Sequence, residues 1–223
     1  MIASGPAANR PPHIAFEVLS VMRLPVSRFA VASVLIAGLL YAVGLPGANP
    51  AAAQTLTGAQ RAEVEAMRAG EMRKLVFHAT PVPVPEEAFF DRDGGETTLA
   101  ASDGKLRLVN FWATWCAPCR EEFPALDALE RARGGTDFAV IPIATGRNDA
   151  DGIDRFLKEA RIQTLGTWLD PKSKLARGMN VAGLPVTVLL NREGEEIARL
   201  MGGADWNTEN ARAILDYVAA LPG

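Results

Sequence analysis

Beyond residue 100, short apolar runs alternate with longer stretches of helical periodicity. Leu106 to Trp112 (Leu-Arg-Leu-Val-Asn-Phe-Trp) reads as a buried strand. Ala113-Thr114-Trp115 turns the chain, and from Ala117 the residues Arg120 to Phe123 and Leu126 to Arg131 follow a helical period, with Pro124 a candidate kink. Phe138 to Ala144 reads as a central strand, although Pro142 suits an edge or a bulge better. Gly152 to Ala160 reads as a helix with Ile153, Phe156 and Leu157 inward. Trp168 to Pro171 gives a short strand and turn, and Ser173 to Met179 a short helix. Val186 to Leu190 and Glu196 to Met201 pair antiparallel across Asn191-Arg192-Glu193-Gly194. Asn207 to Leu221 closes the chain as a helix with Asn207 at its N-cap. This order predicts an α/β fold, a mixed central sheet flanked by helices.

The N-terminal third has a different pattern. No side chain from Phe29 to Leu45 is charged, and Arg23 and Arg28 precede the run. Residues 29–45 therefore read as a transmembrane anchor or a long signal core, with residues 1–28 cytoplasmic and the remainder exported. A buried soluble helix would show a polar face. Ala51-Ala52-Ala53 is a candidate cleavage site, and Met22 an alternative start. Residues 46–78 read as a linker and a helix, the linker from Pro46 to Thr57 and the amphipathic helix from Gly58 to Val76. Residues 79–223 form the remaining domain. It opens with an extended stretch through Pro81, Pro83 and Pro85, then a hairpin from Phe89-Phe90 to Thr97–Ala100 around Asp93-Gly94-Gly95. The aspartates there do not follow a calcium-loop pattern.

Composition narrows the function classes. The net charge of -3 is not that of a nucleic-acid binder, and no glycine-rich phosphate loop is present. The two cysteines of the chain are Cys116 and Cys119, separated by Ala117-Pro118. Structural zinc needs four Cys or His ligands, and the two histidines, His13 and His78, lie far away in sequence. A c-type haem site needs His after the second cysteine, where Arg120 stands. A disulfide across so short a loop contributes little stability by chain entropy. A redox-active dithiol fits best. Cys116 falls at a helix N-terminus, where free N–H groups and the dipole favour a thiolate. Cys119, one turn inward, is the more buried partner. The first cysteine attacks and the second resolves. Pro118 falls in the first turn, where its missing N–H costs nothing.

The string from Val109 to Pro124, with the cysteines at its centre, resembles the active-site segment of the thioredoxin superfamily. It is most similar to the TlpA-like branch of membrane-anchored bacterial thiol-disulfide reductases, and within that branch to its namesake. The resemblance covers roughly Ala79 to the C-terminus and includes Gly202 to Trp206. It implies a thioredoxin-like fold with an N-terminal hairpin. It also implies that Pro185, in Gly183-Leu184-Pro185-Val186-Thr187, follows a cis peptide bond and faces the cysteines. The Leu184 backbone would then pair with an incoming peptide. Val186 stands where the family often has Thr. Asn110 replaces the buried Asp of thioredoxin and cannot act as a base. Glu122 matches the active-site glutamate of the TlpA-like reductases and lies one turn past Cys119, whereas Glu121 reads as a solvated charge. Trp115 offers an apolar docking surface, and Phe111 and Trp112 fill the core. No cofactor is implied beyond the cysteine pair.

Ala117-Pro118 supplies no charge of the kind that makes strong oxidants, so reduction is expected. The implied partners are exported proteins with oxidised cysteine pairs. They are the copper-assembly proteins of cytochrome oxidase or, alternatively, apocytochrome c. A membrane electron donor would re-reduce the pair. A copper-binding chaperone would need His or Met ligands beside the thiols, and a peroxidase would need a peroxidatic motif; neither is evident in the sequence.

Overall fold

The computed structural model describes residues 55–221. The apolar run at residues 29–45, the candidate cleavage site and the alternative start lie outside the described residues. Among the described residues, no helix is long and apolar enough to cross a membrane.

The strands are β1 Leu75–Val82, β2 Phe89–Asp91, β3 Glu96–Thr97, β4 Leu106–Trp112, β5 Phe138–Thr145, β6 Trp168–Asp170, β7 Val186–Leu190 and β8 Glu196–Met201. They form one sheet in the order β1-β8-β7-β4-β5-β6-β2-β3. The pairs β4·β5 and β5·β6 are parallel, and the others antiparallel. The helices are α1 Gly58–Met67, α2 Ala117–Arg133, α3 Ala150–Glu159, α4 Lys174–Gly178 and α5 Glu209–Ala219. The fold is thioredoxin-like: a mixed sheet flanked by helices, with a hairpin extension at the β6 edge.

Strand β4 is buried along its whole length because helices cover both its faces. Its side chains alternate between two cores. Leu106, Leu108 and Trp112 pack with Phe123, Leu126 and Leu129 of α2, Ile153 and Phe156 of α3 and Ile214 of α5. Val109 and Phe111 pack with Leu175, Met179, Val186 and Val188. Asn110 shares the phase of Leu108 and Trp112, so it faces α2. That places a polar side chain in the core directly behind the cysteine helix.

Four expectations need correction. The helix expected over Gly58 to Val76 ends at Met67. Gly70 adopts a φ of 54°, a conformation glycine tolerates, and begins a 3-10 turn over Gly70–Lys74. From Leu75 the period drops to two, with Leu75 and Phe77 buried and Val76 exposed, and β1 pairs with β8. Residues expected as linker and helix thus contribute a strand and core side chains ahead of residue 79. Second, Pro142 lies in a central strand opposite Asn110. The ladder with β6 begins one residue later, at Ile143, so the missing N–H disrupts no pairing there. Third, the second hairpin strand stops at Thr97, and Leu99–Ser102 is a 3-10 turn. Fourth, the cap of α5 is Thr208, whose hydroxyl accepts from the Ala211 N–H at 3.1 Å. Helix α2 runs on through Pro124 to Arg133.

Candidate active site

The site begins where β4 ends. Asn148 pins the turn between β4 and α2: its Oδ1 accepts from the Thr114 N–H at 2.8 Å and the Thr114 hydroxyl at 3.0 Å. Its Nδ2 donates to the Thr145 carbonyl at 2.9 Å, tying that turn to the end of β5. Cys116 follows as the N-cap of α2, and its Sγ accepts from the Cys119 N–H at 3.3 Å. The two cysteines are joined in a disulfide with their Cα atoms 5.3 Å apart. Cys119 is fully buried and Cys116 is 6% exposed, so the first cysteine is the less buried of the two. When the pair is reduced, the N–H that now points at Cys116 Sγ would stabilise its thiolate.

Trp112 and Trp115 divide as their positions suggest. Trp112 is buried against Phe123 and Phe156, with ring centroids 4.1 and 5.4 Å away. Trp115 is 67% exposed beside the disulfide. A cleft of about 370 Å³ runs from Trp115 past Gly146 and Arg177 to Ala182, Gly183 and Leu184. The Leu184-Pro185 peptide is cis, and Pro185 is buried. Among the described residues, neither backbone group of Leu184 has a hydrogen-bond partner, so both are free to pair with an added strand.

One turn past Cys119 on α2 lies Glu122, 4% exposed. Its Oε1 accepts from Asn110 Nδ2 at 2.7 Å, and its Oε2 from the Ala204 N–H at 3.2 Å. Asn110 Nδ2 also donates to the Thr187 hydroxyl at 3.0 Å. Burial pushes the carboxyl from 4.5 up to about 7, against the opposing pull of Asn110, Ala204 and Lys74 and with help from Glu71. The loop after β8 packs on the first turn of α2: a Cβ on Gly203 would lie 3.4 Å from the Pro118 carbonyl oxygen and 4.0 Å from Glu122 Oε2. A cleft of about 650 Å³ opens there, lined by Glu71, Pro118, Glu121, Glu122 and Asp205. The arrangement therefore combines a cysteine at a helix N-cap, a fully buried second cysteine and a carboxyl able to change protonation near neutral pH.

Residues 79–215 match the Redoxin family. The chain belongs to the Redoxin family. This redoxin is 36% identical over 100 residues to the thiol:disulfide interchange protein HelX of Rhodobacter capsulatus, across 45% of the chain and 54% of HelX. It is 26% identical over 140 residues to the thiol-disulfide oxidoreductase ResA of Bacillus subtilis, across 62% of the chain and 74% of ResA. Of HelX, the first of these, it thus matches about half the length. The fold is similar to a thioredoxin-family thiol:disulfide interchange protein of Chlorobium tepidum, with TM-score 0.51 and 24% identity over 62% of this chain and 99% of that one.

The redoxin site gathers Cys116, Pro118, Cys119 and Glu122 on the first turns of α2, with Trp115 just before them and Leu184-Pro185 before β7. Sequence reasoning missed Asn148, Thr187 as a partner of Asn110, and the Ala204 N–H. A polar Asn110 inside an otherwise apolar strand was the available signal that a buried polar group sits opposite. Nothing in the sequence announces the Ala204 contact, which is made by backbone. Glu121 is exposed, as expected. Among the described residues, no group of three or more His, Cys, Asp or Glu is arranged to hold a metal.

Proposed function

We propose that this redoxin is a thiol:disulfide oxidoreductase that reduces cysteine pairs in exported proteins. The carrying observation is the Cys116–Cys119 pair with Cys116 as the N-cap of α2 and the less buried of the two, and with the buried Glu122 one turn further along the same helix. In the reduced protein the Cys116 thiolate attacks one sulfur of a substrate disulfide. The substrate S–S bond breaks, a Cys116–substrate disulfide forms, and the second substrate sulfur leaves as a thiolate that takes up a proton. Cys119 then loses its proton to Glu122 and attacks Cys116 Sγ. The mixed disulfide breaks, the Cys116–Cys119 disulfide forms, and the substrate leaves with both sulfurs reduced. Two electrons have passed from the dithiol to the substrate. A membrane thiol donor must return them for another cycle.

The substrate strand docks on Trp115 and pairs with the free backbone of Leu184, ahead of cis Pro185. The charge-free run at residues 29–45 behind Arg23 and Arg28 supports a single N-terminal anchor with the redox domain in the periplasm. Cleavage near Ala53 would release the same domain as a soluble periplasmic protein. The likeness of Val109–Pro124 and Gly202–Trp206 to TlpA-like reductants supports the copper-assembly proteins of cytochrome oxidase as partners.

The test is to express Cys119→Ser in the native host and identify proteins disulfide-linked to Cys116. Copper-assembly proteins or the oxidase copper subunit in the trap support the reading. Apocytochrome c or its haem-attachment partners reassign the protein to cytochrome c maturation. An empty trap, with tight copper binding by the reduced domain, points instead to a copper chaperone.

A further inference from the structure

Glu122 is also held from a segment that the Redoxin match does not include. The match begins at residue 79, yet the turn Gly70–Lys74 reaches the loop after β8. Lys74 Nζ donates to the Gly203 carbonyl. Glu71 Oε2 accepts from the Asp205 N–H at 2.8 Å. Between them lies Ala204, whose N–H binds Glu122 Oε2 at 3.2 Å. The loop is gripped at both ends by the turn, while the N–H in its middle holds the carboxylate.

The turn is itself anchored. Met72 is 2% exposed in the helix-side core. Asn210 of α5 accepts from the Ala69 N–H at 2.9 Å and donates through Nδ2 to the Met67 carbonyl. The 3-10 turn and α1 are therefore fixed to the domain, and so is their hold on the loop.

The charges around Glu122 come from few elements. Lys74 and Glu71 contribute a cation and an anion from the turn, 3.7 Å apart. Asp205 belongs to the loop, and Arg120 and Glu121 to the same helix as Glu122. Arg120 turns away, with its guanidinium over the Phe156 ring at 4.9 Å. Strands β4 and β7 present the neutral Asn110 and Thr187. The disulfide is uncharged.

We propose that Lys74 and Glu71 are positioning residues for Glu122, holding the 203–205 loop whose N–H binds the carboxylate and placing a charge pair at the mouth of its cleft. The cation favours the ionised carboxylate, and the anion opposes it. Both are partly exposed, so solvent screens them and each effect is modest. The mechanistic weight of the proposal rests on Glu122 being the proton acceptor; its electrostatic content does not.

The experiment follows the Glu122 carboxyl by carbon-13 NMR in the oxidised full chain in detergent micelles, with Glu122→Gln to assign the resonance. Lys74→Met should raise the titration midpoint by roughly half a pH unit. Lys74→Arg should restore it, and Glu71→Gln should lower it. The pH profile of mixed-disulfide breakdown, measured on the same variants, should move in step. Midpoints unchanged in both Lys74→Met and Glu71→Gln would overturn the positioning role. A carboxyl midpoint that moves while the rate profile does not would uphold the electrostatics and overturn Glu122 as the acceptor.

Discussion

Glu122 and Asp127 lie on the same helix and are buried to nearly the same degree, 4% and 2% exposed, yet their acidities move in opposite directions. At Asp127 burial opposes ionisation, but donors more than offset it. Its Oδ1 accepts from the Thr164 hydroxyl at 2.6 Å, the Thr164 N–H at 2.7 Å and the Gln163 N–H at 3.0 Å. Its Oδ2 accepts from the Arg131 guanidinium. These hold the carboxyl below its ordinary value. Glu122 has one side-chain amide and one backbone N–H as donors, and no guanidinium against it. Burial then prevails and lifts it to about 7. Burial alone does not make a proton acceptor. Desolvation and donors together decide whether such a carboxylate is an anchor or an acid: two neutral donors leave desolvation dominant at Glu122, and three neutral donors with a guanidinium outweigh it at Asp127. Asp127 fastens the loop after α3 to α2, whereas Glu122 is left free to change protonation.

The largest effect should come from breaking the anchor. Asp127→Ala leaves the Gln163 and Thr164 donors without their acceptor, and should cost roughly 3 kcal/mol in urea unfolding. The pH profile of mixed-disulfide breakdown should keep its wild-type midpoint.

Glu122→Gln should act in the opposite sense. A folded-state value above the unfolded one means that the native protein binds more protons, so stability falls as pH rises from 4.5 to about 7. That rise corresponds to roughly 3 kcal/mol. The variant should recover up to about 2 kcal/mol at pH 8 and gain nothing at pH 4. The recovery is incomplete because one Gln atom is an amide donor facing the Asn110 or Ala204 N–H. Asp127 has the reverse slope: its contribution is present above the ordinary Asp value and lost as pH falls through its lowered one. Stability curves of wild type and the two variants from pH 3 to pH 9 would separate the slopes.

The smallest effect should come from Asn110→Ala. It removes the closer donor to Glu122, and also an amide oxygen that has no partner. The rate midpoint should rise by about one pH unit with little net loss of stability. A midpoint that falls would show that Asn110 does not favour the ionised form.

Much of the fold was legible because its signals are local. The limits of β7 and β8 follow from an apolar run, a glycine-bearing turn and a second run, and the structure reproduces both to the residue. The helix N-terminus at Cys116 was legible from a buried strand, a short turn and a proline in the first helical turn. The edges of the sheet were not. Strand β1 shows alternation over few residues, and its partner β8 is more than a hundred positions downstream. The helical period expected over Gly58 to Val76 therefore overrides it. Glu122 was legible from helical phase and resemblance, but its raised acidity depends on what surrounds it in space. The Ala204 N–H and the grip of Lys74 and Glu71 on its loop leave no local mark in the chain.

The most direct measurement is the pH dependence of mixed-disulfide breakdown in wild type, Glu122→Gln and Asp127→Asn. Wild type should show a step near the Glu122 value of about 7, Glu122→Gln should lose it and Asp127→Asn should keep it. The same step in all three proteins would show that Glu122 does not take the Cys119 proton.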